Sequence, residues 1–319
     1  MKKFLVVIIA AVVLSAYQAR EWIRQRGPLS EAVNVVVPRG ASSNLVAQKL
    51  NEAGVIDKPL VFKIYARFVG LHKKLRAGEY RFEPGVSMRA AMEKIAKGDV
   101  FYRRITFAEG LTTKQMFDQL QNVSELSGEI TVAAAEGELL PETYSFEYGD
   151  SRNSIVIQAQ KAMTRVLDQA WADRNQAVPL KDKRQLLTLA SIVEKETGVP
   201  EERGLVASVF ANRLVKGMKL QTDPTVIYAL TKGQSDLGRS LKRADLNVDS
   251  PYNTYKYYGL PPAPICNPGI EAIRAAANPE DSDYLYFVAS GNGGHNFSTS
   301  LAQHNRNVKD WVKKLLKSR

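Results

Sequence analysis

Two glutamates, Glu194 and Glu196, stand where this chain could do acid–base chemistry. They close the segment LLTLASIVEKETG, whose apolar residues recur at three- and four-residue spacing and predict an α-helix. At about 100° per residue, Leu186, Leu187, Leu189, Ala190, Ile192 and Val193 form a broad apolar arc, with Lys195 opposite it. Glu194 and Glu196 both fall within the arc, one toward each side, so the wheel does not choose between them. A carboxyl held against apolar neighbours keeps its proton to higher pH, which is what a general acid near neutrality requires. The same placement also suits a plain rim ion pair, with Arg203 as an available partner.

Two further stretches carry polar groups in suggestive order. In LQTDPTVIYAL, residues 220–230, Asp223 before Pro224 reads first as a helix N-cap, whereas Gln221 and Thr222 are an amide and a hydroxyl able to orient a sugar. In SPYNTYKYYGLPPAPICNPG, residues 250–269, proline turns would present Tyr faces and amides such as Tyr252, Asn253 and Thr254. That mixture suits carbohydrate, whose rings offer apolar faces edged with hydroxyls, and equally describes a stiff surface loop.

Other chemistries lack their residues. His72, His295 and His304 show neither HExxH nor any paired-ligand spacing, so no metal site is expected. There is no GxSxG, SxxK or Walker sequence, and Cys266 has no neighbour in sequence to activate it. No cofactor is expected either.

The predicted elements that must position these residues fall into three regions. Residues 1–30 read as an anchor and juxtamembrane segment: Lys2 and Lys3 precede an uncharged apolar run from Phe4 to Leu14, with Trp22 beyond it as an interfacial residue. The run is short for a full span, and the bulky Tyr17 argues against cleavage just after Ala19, so a retained signal anchor is expected. Residues 31–125 alternate short strands with helices and contain a weak internal repeat. VVVPRGASSNLVAQKL at 35–50 aligns with ITFAEGLTTKQMFDQL at 105–120, pairing Gly40 with Gly110 and Ser43 with Thr113. A partial third copy runs from Gly85 through Ser87 to Ile95. Each copy reads as strand, Gly turn, Ser/Thr cap and helix. After a polar joint at 123–138, residues 126–319 read as a larger, mainly helical domain. In it Gly198 is placed to cap the helix bearing the two glutamates, GNGG marks a hairpin, and a basic helix ends the chain. The fold class is therefore α+β.

The 319 residues carry a net charge of +11 and a single cysteine. The charge alone would suggest nucleic acid, but the apolar N-terminus argues instead for export, with the basic residues facing anionic lipid or acidic wall peptides and no nucleic acid bound. One cysteine excludes an intramolecular disulfide.

EKETG at 194–198, VASVFANRL at 206–214, LQTDPTVIYAL at 220–230, PYNTYKYYGLPPAPICNPG at 251–269 and YLYFVASGNGGHNFSTSLAQHN at 284–305 together resemble the endolytic murein transglycosylase family (MltG, YceG-like). The N-terminal part is similar to the family plan of a single-pass anchor followed by a LysM-like module. At 136–146 the family's usual EGYLFPDTY is EGELLPETYSF here, with Glu138 and Leu139 where aromatics are common. The resemblance implies a lytic transglycosylase of peptidoglycan, acting on the bond between N-acetylmuramic acid and N-acetylglucosamine. It assigns the catalytic role to Glu194, with Glu196 in support and Asn212, Gln221, Thr222, Asp223, Tyr252, Asn253 and Thr254 as substrate contacts. It also implies a bacterial inner-membrane location, with the catalytic domain on the periplasmic side and penicillin-binding proteins as partners. A hydrolytic muramidase and a non-catalytic peptidoglycan-binding scaffold are the competing readings.

Overall fold

The computed structural model describes residues 2–291 and 293–317. Its fold is mixed α and β, about half helical, with three two-stranded sheets. The chain forms two compact units: 1–104 with 125–127 and 145–150, and 105–124 with 128–144 and 151–319.

The first unit holds helix α1 (Lys2–Arg24), strand β1 (Val33–Val37), helices α2 (Ser43–Glu52) and α3 (Pro59–Phe68), strand β2 (Gly78–Phe82) and helix α4 (Met88–Lys97). β1 and β2 pair antiparallel with Val35 opposite Tyr80. Their inner faces bury Val35, Val37, Tyr80 and Phe82 with Leu50, Phe62, Met92 and Ile95 from the helices. Among the described residues no helix is long and apolar enough to cross a membrane.

The repeat has a definite geometric basis. Gly40, Gly85 and Gly110 adopt φ values of 74°, 72° and 76°, a left-handed conformation that favours glycine. Two residues after each, Ser42, Ser87 and Thr112 cap α2, α4 and α5 (Thr113–Gln121), accepting the N–H of the third helical residue. The caps are thus Ser42 and Thr112, one position before the aligned pair Ser43 and Thr113, which begin their helices. The 105–120 copy, grouped by sequence with the N-terminal region, has its helix α5 in the second unit. The chain changes unit within β3 (Arg103–Thr106) and again within β4 (Thr143–Phe146).

The second unit is built on α7 (Lys183–Glu196), which packs against α6 (Arg152–Ala172), α8 (Arg203–Val215), α9 (Asp223–Thr231) and α10 (Ile270–Ala277). Its middle is buried all round, from Leu186 through Val193, including Thr188 and Ser191. Those two polar groups are satisfied: their hydroxyls donate to the carbonyls of Arg184 and Thr188. Strands β5 (Tyr286–Ala289) and β6 (His295–Ser298) form an antiparallel hairpin, followed by α11 (Leu301–Lys317).

Gly198 does not cap α7. The helix ends at Glu196, Thr197 takes extended angles, and the Thr197 hydroxyl accepts the Val199 N–H, so the chain turns without a left-handed residue. Asp223 likewise is not an N-cap: Thr222 is the cap residue and Asp223 the first helical one, which leaves its carboxylate available elsewhere.

Candidate functional site

Glu194 and Glu196 leave the end of α7 into different surroundings. Glu194 Oε2 accepts the backbone N–H of Gly269 at 2.9 Å. The segment delivering that N–H is stitched to α7 further back, where Ile265 N–H donates to Ser191 Oγ at 3.0 Å and the Cys266 thiol to the Ser191 carbonyl at 3.3 Å. A Cβ at Gly269 would lie 1.8 Å from Glu109 Oε1, so any side chain there would displace the Glu109 carboxylate from beside Glu194. Burial raises the pKa of Glu194, the Gly269 N–H opposes the rise, Glu109 adds to it, and Arg203 and Lys195 oppose it.

Glu196 opens into a cleft of about 390 Å³. Gln221, Asp223, Arg213, Tyr255, Phe287 and His304 are among the side chains lining it. Burial pushes the Glu196 carboxyl up to about 6; the Thr222 hydroxyl, which donates to Oε1, works against this, and the nearby charge of Asp223 works with it. The Asp223 carboxylate in turn accepts the Tyr255 hydroxyl at 2.6 Å, and burial with that contact holds Tyr255 protonated. Arg213, 8% exposed, is committed to structure: Nε donates to the Leu285 carbonyl and Nη1 to that of Leu220, each at 2.7 Å. Its guanidinium still lies 5.1 Å from the Tyr286 ring centroid and holds that wall of the cleft.

The segment before α9 is shaped by Thr254. Its carbonyl accepts the Gln221 N–H at 3.2 Å, and its Oγ1 accepts the Thr222 N–H at 3.1 Å and lies 2.8 Å from the Thr225 hydroxyl. These bonds hold Gln221 at φ 50°, uncommon for a residue with a side chain, and leave its amide exposed at the cleft.

The expected contacts therefore separate. Gln221, Asp223 and Glu196 share the cleft, with Thr222 directly behind Glu196. Thr254 and Asn253 are buried supports; Asn253 Nδ2 donates to the carbonyls of Leu246 and Val248 at 2.9 and 2.8 Å. Asn212 Nδ2 donates to the carbonyls of Ser282 and Tyr284 at 2.7 and 3.0 Å, tying the approach to the hairpin onto α8. Tyr252 faces a different cleft, packed 4.8 Å from Tyr228 between ring centroids. Sequence reasoning passed over Tyr255, Arg213, Phe287 and His304. All four lie inside its own motif blocks, but only the folded hairpin and α11 bring Phe287 and His304 to the cleft. Among the described residues, no three of His, Cys, Asp and Glu converge as a metal site would need.

A carboxyl able to hold its proton, a second carboxyl beside it and aromatic walls over an open cleft define an acid–base site for a polar, ring-bearing substrate. The chain belongs to the YceG-like family, whose model matches residues 35–310. It is 32% identical over 314 residues to a Bacillus subtilis (strain 168) protein named endolytic murein transglycosylase, covering 88% of this chain and 85% of that one. A protein of the same name from Streptococcus pneumoniae serotype 2 is 30% identical over 88% of this chain, which spans 58% of that longer protein. A crystal structure of a YceG-like protein from Listeria monocytogenes matches 87% of this chain and 99% of its own, with 32% identity and a TM-score of 0.53.

Proposed function

We propose that this protein is an endolytic murein transglycosylase, a lyase that cuts the glycan of peptidoglycan between N-acetylmuramic acid and N-acetylglucosamine and leaves a 1,6-anhydro end. The observation that carries the chemistry is Glu196: a carboxyl on a rigid helix end, facing an open cleft, with a pKa of about 6. Protonated, it gives its hydrogen to the glycosidic oxygen as the bond to muramic C1 breaks and positive charge develops on the ring. As carboxylate it then takes the hydrogen of the C6 hydroxyl while O6 bonds to C1, which closes the anhydro ring and restores the acid. No water is consumed, so one titrating carboxyl suffices. The Asp223 carboxyl group, held by the Tyr255 hydroxyl, lines the same cleft in which the ring becomes cationic.

A second reading gives this role to Glu194, as the family resemblance assigns it. It is favoured by the upward shift of that carboxyl and by its partial exposure beside Gly269. Digestion of purified glycan strands with wild type, Glu196→Gln and Glu194→Gln, followed by mass spectrometry of the ends, separates the readings. Anhydro ends lost only with Glu196→Gln support the first; loss only with Glu194→Gln transfers the role. Reducing ends in place of anhydro ends would make the enzyme a muramidase, and turnover by neither wild type nor variants would leave a binding scaffold.

The setting belongs to the same proposal. The Lys2–Lys3 pair and the apolar run after it support an inner-membrane anchor with the enzyme in the periplasm, and the strand–turn–helix copies support a LysM-like wall-binding module. A tether would confine cutting to nascent strands near the bilayer, where penicillin-binding proteins work. Removing residues 2–24 and fractionating cells tests the anchor: the shortened protein is expected in the soluble fraction.

A further inference from the structure

A second and larger cleft, about 800 Å³, lies in the same unit on the other side of α9 and of the 252–264 segment. α7 serves both clefts, contributing Arg184 to this one and Glu196 to the first; they stand twelve positions apart, about 18 Å along the axis. α9 likewise gives Asp223 to one and Tyr228 to the other, and the following segment gives Tyr255 and Tyr252. No part of the chemistry described above uses the second cleft.

Its chemistry is distinct. Met163, Leu187, Tyr228, Tyr252 and Pro264 make a mainly apolar wall. Most charged groups around it already have an ion-pair or hydrogen-bond partner. Lys183 Nζ sits 2.6 Å from Asp168, Glu138 accepts the Ala135 N–H at 2.8 Å, and Glu136 accepts the Thr113 N–H at 2.8 Å. Arg184 is the exception: its exposed guanidinium has no hydrogen bond or ion pair among the described residues, and its charge reaches the Tyr252 hydroxyl. The two tyrosine rings meet at 47° and form a corner instead of a flat platform, which is poor support for a stacked pyranose but accommodates small methyl-bearing side chains. An unmatched guanidinium at the rim is the geometry that receives a carboxylate.

We propose that this cleft binds the acidic peptide stem pendant to the glycan, with Arg184 receiving a stem carboxylate and the tyrosine–leucine wall taking its alanine methyls. The inference rests on the proposed peptidoglycan substrate. It makes the cleft a specificity site, about 18 Å along α7 from Glu196, so that the enzyme reads whether a strand carries peptides near the bond it cuts.

The test compares the full-length protein on peptide-bearing strands and on strands stripped of peptide by an amidase. Arg184→Ala is expected to raise KM on peptide-bearing strands about tenfold, the effect of one charge-assisted hydrogen bond, with kcat little changed and stripped strands cut as by wild type. Arg184→Lys, which keeps the charge, is expected to retain most of the preference, separating loss of charge from damage to the fold. Calorimetric titration with a disaccharide-pentapeptide and with the peptide-free disaccharide reads binding without turnover. Equal affinity for the two probes, or an Arg184→Ala effect of the same size on both, overturns the proposal. Should no strand yield anhydro ends while pentapeptide binding still depends on Arg184, the lyase reading falls and this one stands.

Discussion

Glu196 titrates about where a general acid for near-neutral work should, and the sign of its pH dependence follows. The proton-donating form is lost as pH rises through about 6, so turnover should fall about tenfold per unit on the alkaline limb of the pH–rate profile. Glu196→Gln should lower turnover by about 10²–10⁴-fold, the usual range for removing a general acid. Stability carries the same signature. Between the ordinary 4.5 and about 6 the folded chain holds a proton that the unfolded chain has released, so folding weakens with rising pH across that window, by at most about 2 kcal/mol. Glu196→Gln has no such penalty, and its melting temperature should gain on wild type as pH goes from 4 to 7. The pair of glutamates was legible in the sequence; the difference between them was not. Both lie within the apolar arc of α7, and what distinguishes them comes from Thr222 at one carboxyl and from the Gly269 N–H at the other. Neither partner is a sequence neighbour.

Elements followed local rules wherever local chemistry decided them. The left-handed glycines and hydroxyl caps of the repeat could be read directly, to within one residue, because a turn and its cap interact only with their own few neighbours. α7 was legible from its periodicity, but its C-terminal end was not, since the Thr197 hydroxyl takes over the role expected of Gly198. Polar residues in the 250–269 segment were harder still. Composition marks Asn253 as exposed and sugar-facing, yet it is fully buried, because two carbonyls and the Tyr255 N–H absorb its amide. Asn253→Ala would strip those part-buried carbonyls of their donor. It should cost about 2–3 kcal/mol, measurable by denaturant unfolding, and should reduce turnover through Tyr255 and Asp223 without altering which bond is cut. Asn212→Ala should destabilise similarly, since the Ser282 and Tyr284 carbonyls depend on it.

For the whole molecule, the sequence conveyed an α+β chain with short strands, one hairpin and a helical region carrying the chemistry, because such periodicities survive without tertiary information. The cleft itself was illegible: Leu220–Asp223, Tyr255, the hairpin and α11 converge on it from across more than 80 residues of chain. The charge of +11 and the apolar first helix, where Phe4, Val13 and Leu14 stand exposed, are consistent with a lipid-facing end. The solitary thiol offers a further use. Cys266 is wholly enclosed against α7 beside the segment that holds Glu194, so a maleimide or disulfide reagent can reach it only when that seam parts. Its modification rate is therefore a built-in clock for breathing of the catalytic helix. Bound glycan should slow that clock, and a variant that runs it faster while keeping its melting temperature has loosened the site alone.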